Sequence, residues 1–213
     1  MRSLTLILTA VLAAAAPAEA QFRQQAPEQA GFGLTADLKF ELMGGAIGDS
    51  LGAGFGASAT GFWEFSAVPA RLGAGGAYTR FSTDGPGDAH NKLSLFAMGS
   101  WHFADPNTSV VPYIQGRVGW VRLDDDELTC AGYPDFEPPD CDATLRGREW
   151  SGLELGAVAG VDIPMTETLN IDVGGTFTWS VLGDLTAGGQ EIPETSTNVS
   201  TFGIRAGVTV FPR

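Results

Sequence analysis

The sequence predicts an all-β protein, an eight-stranded antiparallel up-and-down transmembrane β-barrel. Three observations carry this expectation. Segments of about ten residues alternate apolar and polar positions with a period of two, the mark of a strand with two unlike faces. Shorter and longer connections take turns between these segments. The second face is dominated by Gly, Ser and Thr with few charges, whereas a water-facing surface would be rich in Lys, Glu, Asp and Arg.

The first segment is not part of the barrel. Arg2, an apolar run from Leu4 to Ala16 and then Ala18-Glu19-Ala20 have the three parts of a secretory signal peptide. Residues 1–20 are expected to be removed, leaving Gln21 at the front. The apolar run is shorter than the about 20 residues a helix needs to cross a bilayer. No Cys follows the cleavage site, which argues against a lipoprotein anchor. Residues 21–30 read as a polar spacer, and residues 31–213 as one barrel domain. Removing 20 residues from 213 leaves 193, a length that suits a single domain.

The strands follow in order. In the first, Leu34, Ala36, Leu38, Phe40 and Leu42 alternate with Thr35, Asp37, Lys39 and Glu41. In the second, Leu51, Ala53, Phe55, Ala57 and Ala59 alternate with Gly52, Gly54, Gly56, Ser58 and Thr60, and the strand runs on through Trp63 and Phe65. Leu72, Ala74 and Tyr78 mark a less regular third, ending near Phe81. The fourth sets Leu93, Leu95, Ala97, Trp101 and Phe103 against Lys92, Ser94, Ser100 and His102. The fifth sets Ile114, Val118 and Trp120 against Gln115 and Arg117. In the sixth, Leu153, Leu155, Ala157, Ala159, Val161 and Ile163 oppose Gly152, Glu154, Gly156, Gly160 and Asp162. The seventh opposes Leu169, Ile171, Val173, Phe177 and Trp179 to Asn170, Asp172, Thr176 and Thr178. The eighth opposes Phe202, Ile204, Ala206, Val208 and Val210 to Thr201, Gly203, Arg205, Gly207 and Thr209.

Short connections are expected near residues 66–70, 104–110 and 164–168, and longer ones near 43–50, 82–91, 123–148 and 180–197. Short turns on one side and longer loops on the other are the habit of outer-membrane barrels, and an even strand count returns both termini to the short-turn, periplasmic side. Trp63, Phe65, Tyr78, Trp101, Phe103, Trp120, Trp150 and Trp179 fall near predicted strand ends, as interfacial aromatic girdles do. Closure follows from lipid, because an unpaired sheet edge cannot sit in hydrocarbon. The competing reading is a soluble periplasmic β-barrel with the apolar face turned inward around a ligand.

With these residues in place, the chain from about Gly31 to Phe211 resembles the small OmpA/OmpX-type outer-membrane barrels. The likeness rests on the repeated alternation, on Pro112-Tyr113-Ile114 opening the fifth strand and on the aromatic-aliphatic final strand. It implies residence in the outer membrane of a double-membraned bacterium, contact with outer-membrane lipids and lipopolysaccharide, and handling by the barrel-assembly machinery. Barrels of this kind end in an aromatic residue. Here Phe211 is one residue out of parity with Val210, and Pro212 and Arg213 follow it.

The candidate functional residues divide into three sets. Asp37, Lys39, Glu41, Lys92, Arg117, Glu154, Asp162, Asp172 and Arg205 fall on the inward face. Burying a charge is costly unless it is paired, so they are expected to form a lumen charge network, with Arg117 and Arg205 pairing with Glu154, Asp172 or Asp37. Cys130 and Cys141, the only cysteines, are expected to form a disulfide in an oxidising compartment, worth on the order of 2–3 kcal/mol by chain entropy. Between and around them lie Asp124, Asp125, Asp126, Glu127, Asp135, Glu137, Asp140 and Asp142, an acidic loop able to meet divalent cations or a partner.

Other chemistry finds little support in the residues. A net charge of −13 argues against nucleic acid, which requires a basic face. No zinc signature, EF-hand or phosphate loop is present, so neither metal nor cofactor is expected. Ser100 and His102 share a strand face. The outer-membrane lipid A deacylases carry a His-x-Ser pair turned toward lipid, whereas here the order is reversed and the pair faces the lumen. The expectation is a non-enzymatic barrel acting through its extracellular loops. A small-solute or hydrophobic-compound channel and an outer-membrane lipid-modifying enzyme stand as the alternatives, and the extracellular partner is left unnamed.

Overall fold

A computed structural model describes residues 31–45, 51–66, 68–83, 89–103, 109–125, 148–187, 190–193 and 195–212. The signal peptide and spacer, Cys130 and Cys141, and the acidic residues from Asp126 to Asp142 lie outside them.

Alternation builds long strands. They are β1 (Gly31–Gly45), β2 (Leu51–Glu64), β3 (Ala70–Thr83), β4 (Ala89–His102), β5 (Val111–Asp125), β6 (Arg148–Pro164) and β7 (Leu169–Leu182). Two short strands, β8 (Leu185–Ala187) and β9 (Gln190–Ile192), precede the last long one, β10 (Thr197–Val210). The long strands pair antiparallel in the order β5-β4-β3-β2-β1-β10-β7-β6, and β5 pairs with β6 to close the ring. The expected eight-stranded barrel is therefore what forms. The addition is the β8–β9 hairpin, which pairs to β6 at Arg148 and Glu149. One irregularity interrupts the ladders, between Leu51 and Gly54 against β3.

Two expectations need correction. The strands run to 14–17 residues. They therefore consume much of what reads as loop. Connections 46–50 and 84–88 are of much the same length as those at the opposite, turn end (65–69, 103–110 and 165–168), and only 126–147 and 183–196 are long. Trp150 also does not join a girdle: it turns inward and packs on an interior cluster.

Both corrections have one physical cause. Along most of each strand the large apolar residues face outward, with Leu38 72%, Phe55 68% and Ile204 63% exposed. Phe32, Trp63, Phe65, Trp101 and Phe103 ring this wall at the turn end; Tyr78, Trp120 and Trp179 lie toward the loop end. Past Tyr78 and Trp120 the strands continue, and their polarity inverts. Arg80, Ser82, Asn91, Arg122, Asp124 and Glu149 now point out, while Met43, Phe81, Val121, Leu123, Leu182 and Val199 form a buried cluster inside. A strand inside a bilayer puts apolar side chains outward. A strand that has left it must do the reverse, because water now lies outside.

Glycine makes room for the inward charges. Across neighbouring strands Asp37 faces Gly207, Glu41 faces Gly203 and Gly54, and Glu154 faces Gly119. A Cβ on Gly119 would run into the Leu95 carbonyl oxygen, whereas one on outward-facing Gly116 would meet nothing within 4 Å. Gly119→Val is therefore expected to destabilise the barrel by about 1–3 kcal/mol through overpacking, and Gly116→Val to leave it close to unchanged. Urea unfolding in lipid vesicles, followed by tryptophan fluorescence, checks the pair; equal losses would contradict the assignment of faces.

Candidate functional site

The inward face gathers its fully buried charges from every long strand except β2, which adds the half-buried Glu64 at its turn end. Asp37, Lys39, Glu41, Lys92, Arg117, Glu154, Asp162, Asp172 and Arg205 all turn inward, and none is more than 7% exposed. Arg71 on β3 joins them. Among the described residues, five buried cations (Lys39, Arg71, Lys92, Arg117, Arg205) meet five buried carboxylates (Asp37, Glu41, Glu154, Asp162, Asp172). This buried set is thus charge-balanced.

Toward the loop end the network is built on Glu41 and Glu154. Lys39 Nζ lies 2.5 Å from Glu41, two residues along the same strand face, and the Thr79 hydroxyl donates to Glu41 at 2.9 Å. Lys92 Nζ lies 2.6 Å from Glu154 and donates to the Thr178 hydroxyl at 3.0 Å. Arg117 stands at 3.9 Å from Glu154, its guanidinium over the Phe96 ring.

Toward the turn end the anchors are Asp162 and Asp172, directly opposed across β6 and β7. Arg71 reaches Asp162 at 2.7 Å and Glu64 at 3.1 Å. His102 approaches Asp162 at 3.3 Å and stacks on Tyr113. Arg205 lies 3.1 Å from Asp172 and 3.9 Å from Asp37, and donates to the Tyr113 hydroxyl at 2.7 Å. Ser58 donates to Asp37 at 2.7 Å. Of the expected partners, Arg117 meets Glu154, and Arg205 meets both Asp172 and Asp37.

Apolar groups stand at both ends of this network. At the loop end the cluster around Phe81 and Leu123 crosses the barrel, with Trp150 against it. At the turn end Phe62 and Phe211 meet edge to face at 5.8 Å, and the Arg71 guanidinium lies over both rings. The out-of-parity Phe211 therefore points into the lumen, and its N–H is held by the Thr168 carbonyl at 2.9 Å.

Several of these residues escape a reading of the sequence. Arg71 sits in the third segment, where both faces are Gly and Ala and no alternation assigns it a side. Phe62 lies between Gly61 and Trp63, and its apolar character gives no cue that it faces inward. The signal that could have found Arg71 is parity counted back from Tyr78 through Leu72.

Of the acidic loop only its root is described. Asp124 points outward and meets Arg122 at 3.8 Å, and Arg122 also reaches Glu149 at 3.0 Å. The side chain of Asp125 lies outside the description. Ser100 and His102 are buried in the lumen wall, and among the described residues no group of three or more His, Cys, Asp or Glu side chains is placed to hold a metal ion.

A closed ring of eight antiparallel strands, apolar outside and charged inside, is a transmembrane β-barrel of the small outer-membrane type. Comparison with known proteins agrees on the fold. No family profile matches the sequence, nor does any curated protein. Among solved structures, Neisserial surface protein A is similar at a TM-score of 0.60 and 20% identity, over 84% of this chain and 96% of that one. Ail of Yersinia pestis gives 0.48 and 17%, over 85% and 99%. OprG of Pseudomonas aeruginosa gives 0.48 and 11%, over 87% and 97%. At these identities the likeness is one of fold.

The network itself can be tested. Lys92→Met leaves buried Glu154 with only the more distant Arg117, and removing one partner of a buried pair costs about 3–5 kcal/mol. The triple variant Lys92→Met/Arg117→Met/Glu154→Leu, which removes both cations together with their shared carboxylate, should recover most of that loss in the same urea titration. A single variant as stable as the parent would show that the pair is idle.

Proposed function

We propose that the protein is a non-enzymatic, non-conducting outer-membrane barrel that carries a water-facing platform beyond the membrane and acts through it. One observation carries this reading: the polarity of the strands inverts past the loop-end aromatic residues. The inversion fills the lumen with an apolar core at that end and gives the outside a polar collar. Together with the Phe62–Phe211 pair at the other end, it encloses the charge-balanced buried set. Ions need a continuous polar path, and this arrangement opposes one at both mouths. A sideways exit for apolar compounds is opposed as well, because neighbouring long strands pair along their length all round the ring.

In this reading the loop end faces the cell exterior, and the connections 126–147 and 183–196 belong to that side. Counted from Arg80 through Glu194, the loop-end segments and strand tips are dominated by acidic residues. Divalent cations would let these carboxylates meet the phosphates of lipopolysaccharide, since both are hard oxygen ligands. Cleavage after Ala20, assembly by the barrel-insertion machinery and a Cys130–Cys141 disulfide complete the proposal. Burial of Ser100 and His102 in the lumen wall supports a chain without hydrolytic chemistry.

Two experiments test it. Refolded protein in a planar bilayer should show no steady conductance while running as a heat-modifiable band on SDS gels; steady single-channel openings would sink the sealed-lumen reading. Protein recovered from membranes should begin at Gln21 and resist alkylation until reduced. A thiol that reacts without reductant would rule out the disulfide.

A further inference from the structure

Three polar atoms at the turn end of the lumen are left out of the network around them. Arg205 Nε and Asp172 Oδ1 lie 3.1 Å apart, but the N–H is not aimed at the oxygen, and neither atom has a hydrogen-bond partner. His102 Nδ1 likewise has none. All three atoms are buried, and none of the three residues is more than 7% exposed. Buried polar atoms of native proteins are nearly always hydrogen-bonded, either to protein or to ordered water.

The neighbours hold these side chains in place without supplying the missing bonds. The Arg205 Nη2 donates to the Tyr113 hydroxyl at 2.7 Å, and its Nη1 lies 3.9 Å from Asp37. His102 stacks on Tyr113 and turns its Nε2 to Asp162 at 3.3 Å. A carboxylate only accepts, so Nε2 carries the proton, and Nδ1 of the neutral ring is an acceptor. The three atoms therefore comprise one donor, Arg205 Nε–H, and two acceptors, Asp172 Oδ1 and His102 Nδ1.

The side chains that carry them line a single cavity of about 20 Å³, with Ser100, Tyr113 and Asp162 among its other walls. A site needs roughly 10–15 Å³ to admit a water molecule, and a buried water makes about three hydrogen bonds. Size excludes an organic ligand. The count of donors and acceptors excludes simple ions. An ammonium ion only donates and would oppose Arg205, whereas a halide only accepts and would oppose Asp172. Among the described residues, no group of three or more His, Cys, Asp or Glu side chains is placed to hold a metal ion. Water accepts and donates twice, and so satisfies all three atoms at once.

We propose that one water molecule is bound between Arg205, Asp172 and His102 as a fixed part of the turn-end lumen. It accepts from Arg205 Nε–H and donates to Asp172 Oδ1 and His102 Nδ1. In doing so it joins β10, β7 and β4 across the lumen and holds the His102 ring in the tautomer that faces Asp162. The proposal rests on the sealed-lumen reading, because only a closed mouth shields the molecule from bulk solvent.

The test uses the full chain, isotope-labelled at its arginine nitrogens and refolded in phospholipid nanodiscs. NMR magnetisation transfer between the Arg205 Nε–H and water should carry the sign of a long-lived, bound molecule. Ser100→Val puts methyl groups into the cavity and should abolish that signal in a barrel that is still heat-modifiable. Thr60→Ile, on another wall of the same cavity, serves if that variant does not assemble. Leu38→Ala on the outer wall should keep the signal. A resolved Arg205 Nε–H with no water signal, or one unchanged by filling the cavity, would overturn the site and leave the sealed lumen standing. A signal with the sign of freely exchanging water would overturn the sealed lumen, and the bound molecule with it.

Discussion

Hydrocarbon offers no hydrogen bonds, so each backbone N–H and C=O at membrane depth must find its partner within the protein. For this chain that requirement is met by the pairing of β5 with β6, which turns an open sheet into a ring. Closure at eight strands leaves an interior just wide enough for side chains to fill it. Everything on the inward face then follows from crowding and charge. Bulky or charged residues such as Asp37, Glu41 and Glu154 are set against glycines on the neighbouring strand, and the ten buried charges cancel. A buried pair of this kind is poor evidence of extra stability, because both charges have lost their water. Its effect is to make any other register or any missing partner expensive.

The same ring serves two solvents. Between the aromatic belts the apolar face looks out to lipid and the polar face looks in. Beyond Tyr78 and Trp120 the outside meets water, and the chain answers by exchanging the two faces without breaking a strand. The loop-end segment is built like a small soluble barrel, with Phe81, Leu123 and Leu182 as its core and Arg80, Arg122 and Asp124 on its surface. This stretch fills the loop end of the lumen with apolar side chains. Arg122, bridged to both Asp124 and Glu149, ties β5 to β6 at the root of residues 126–147.

Much of the barrel is legible in the sequence because a period of two is read on a single strand without knowing its neighbours. Leu38 between Asp37 and Lys39, or Leu155 between Glu154 and Gly156, declares its face locally. The nine inward charges could be assigned to that face for the same reason. Their partners could not: Arg205 reaches Asp172 on β7 and Asp37 on β1, a choice made by the order of strands around the ring. Where both faces are small, as around Arg71, or both apolar, as around Phe62, the residue types alone give no side, and only parity carried from neighbours such as Leu72 or Trp63 does.

The sequence by itself thus determined the number of long strands, the membrane-facing wall and the face of nine of the ten buried charges, because alternation and composition are properties of single segments. The tertiary structure alone decided where the strands end, where their polarity inverts, which charges pair and that Phe62, Arg71 and Phe211 converge at one mouth. Those depend on register between strands distant in the chain and on the level at which each leaves the lipid, and neither quantity is written in any one segment.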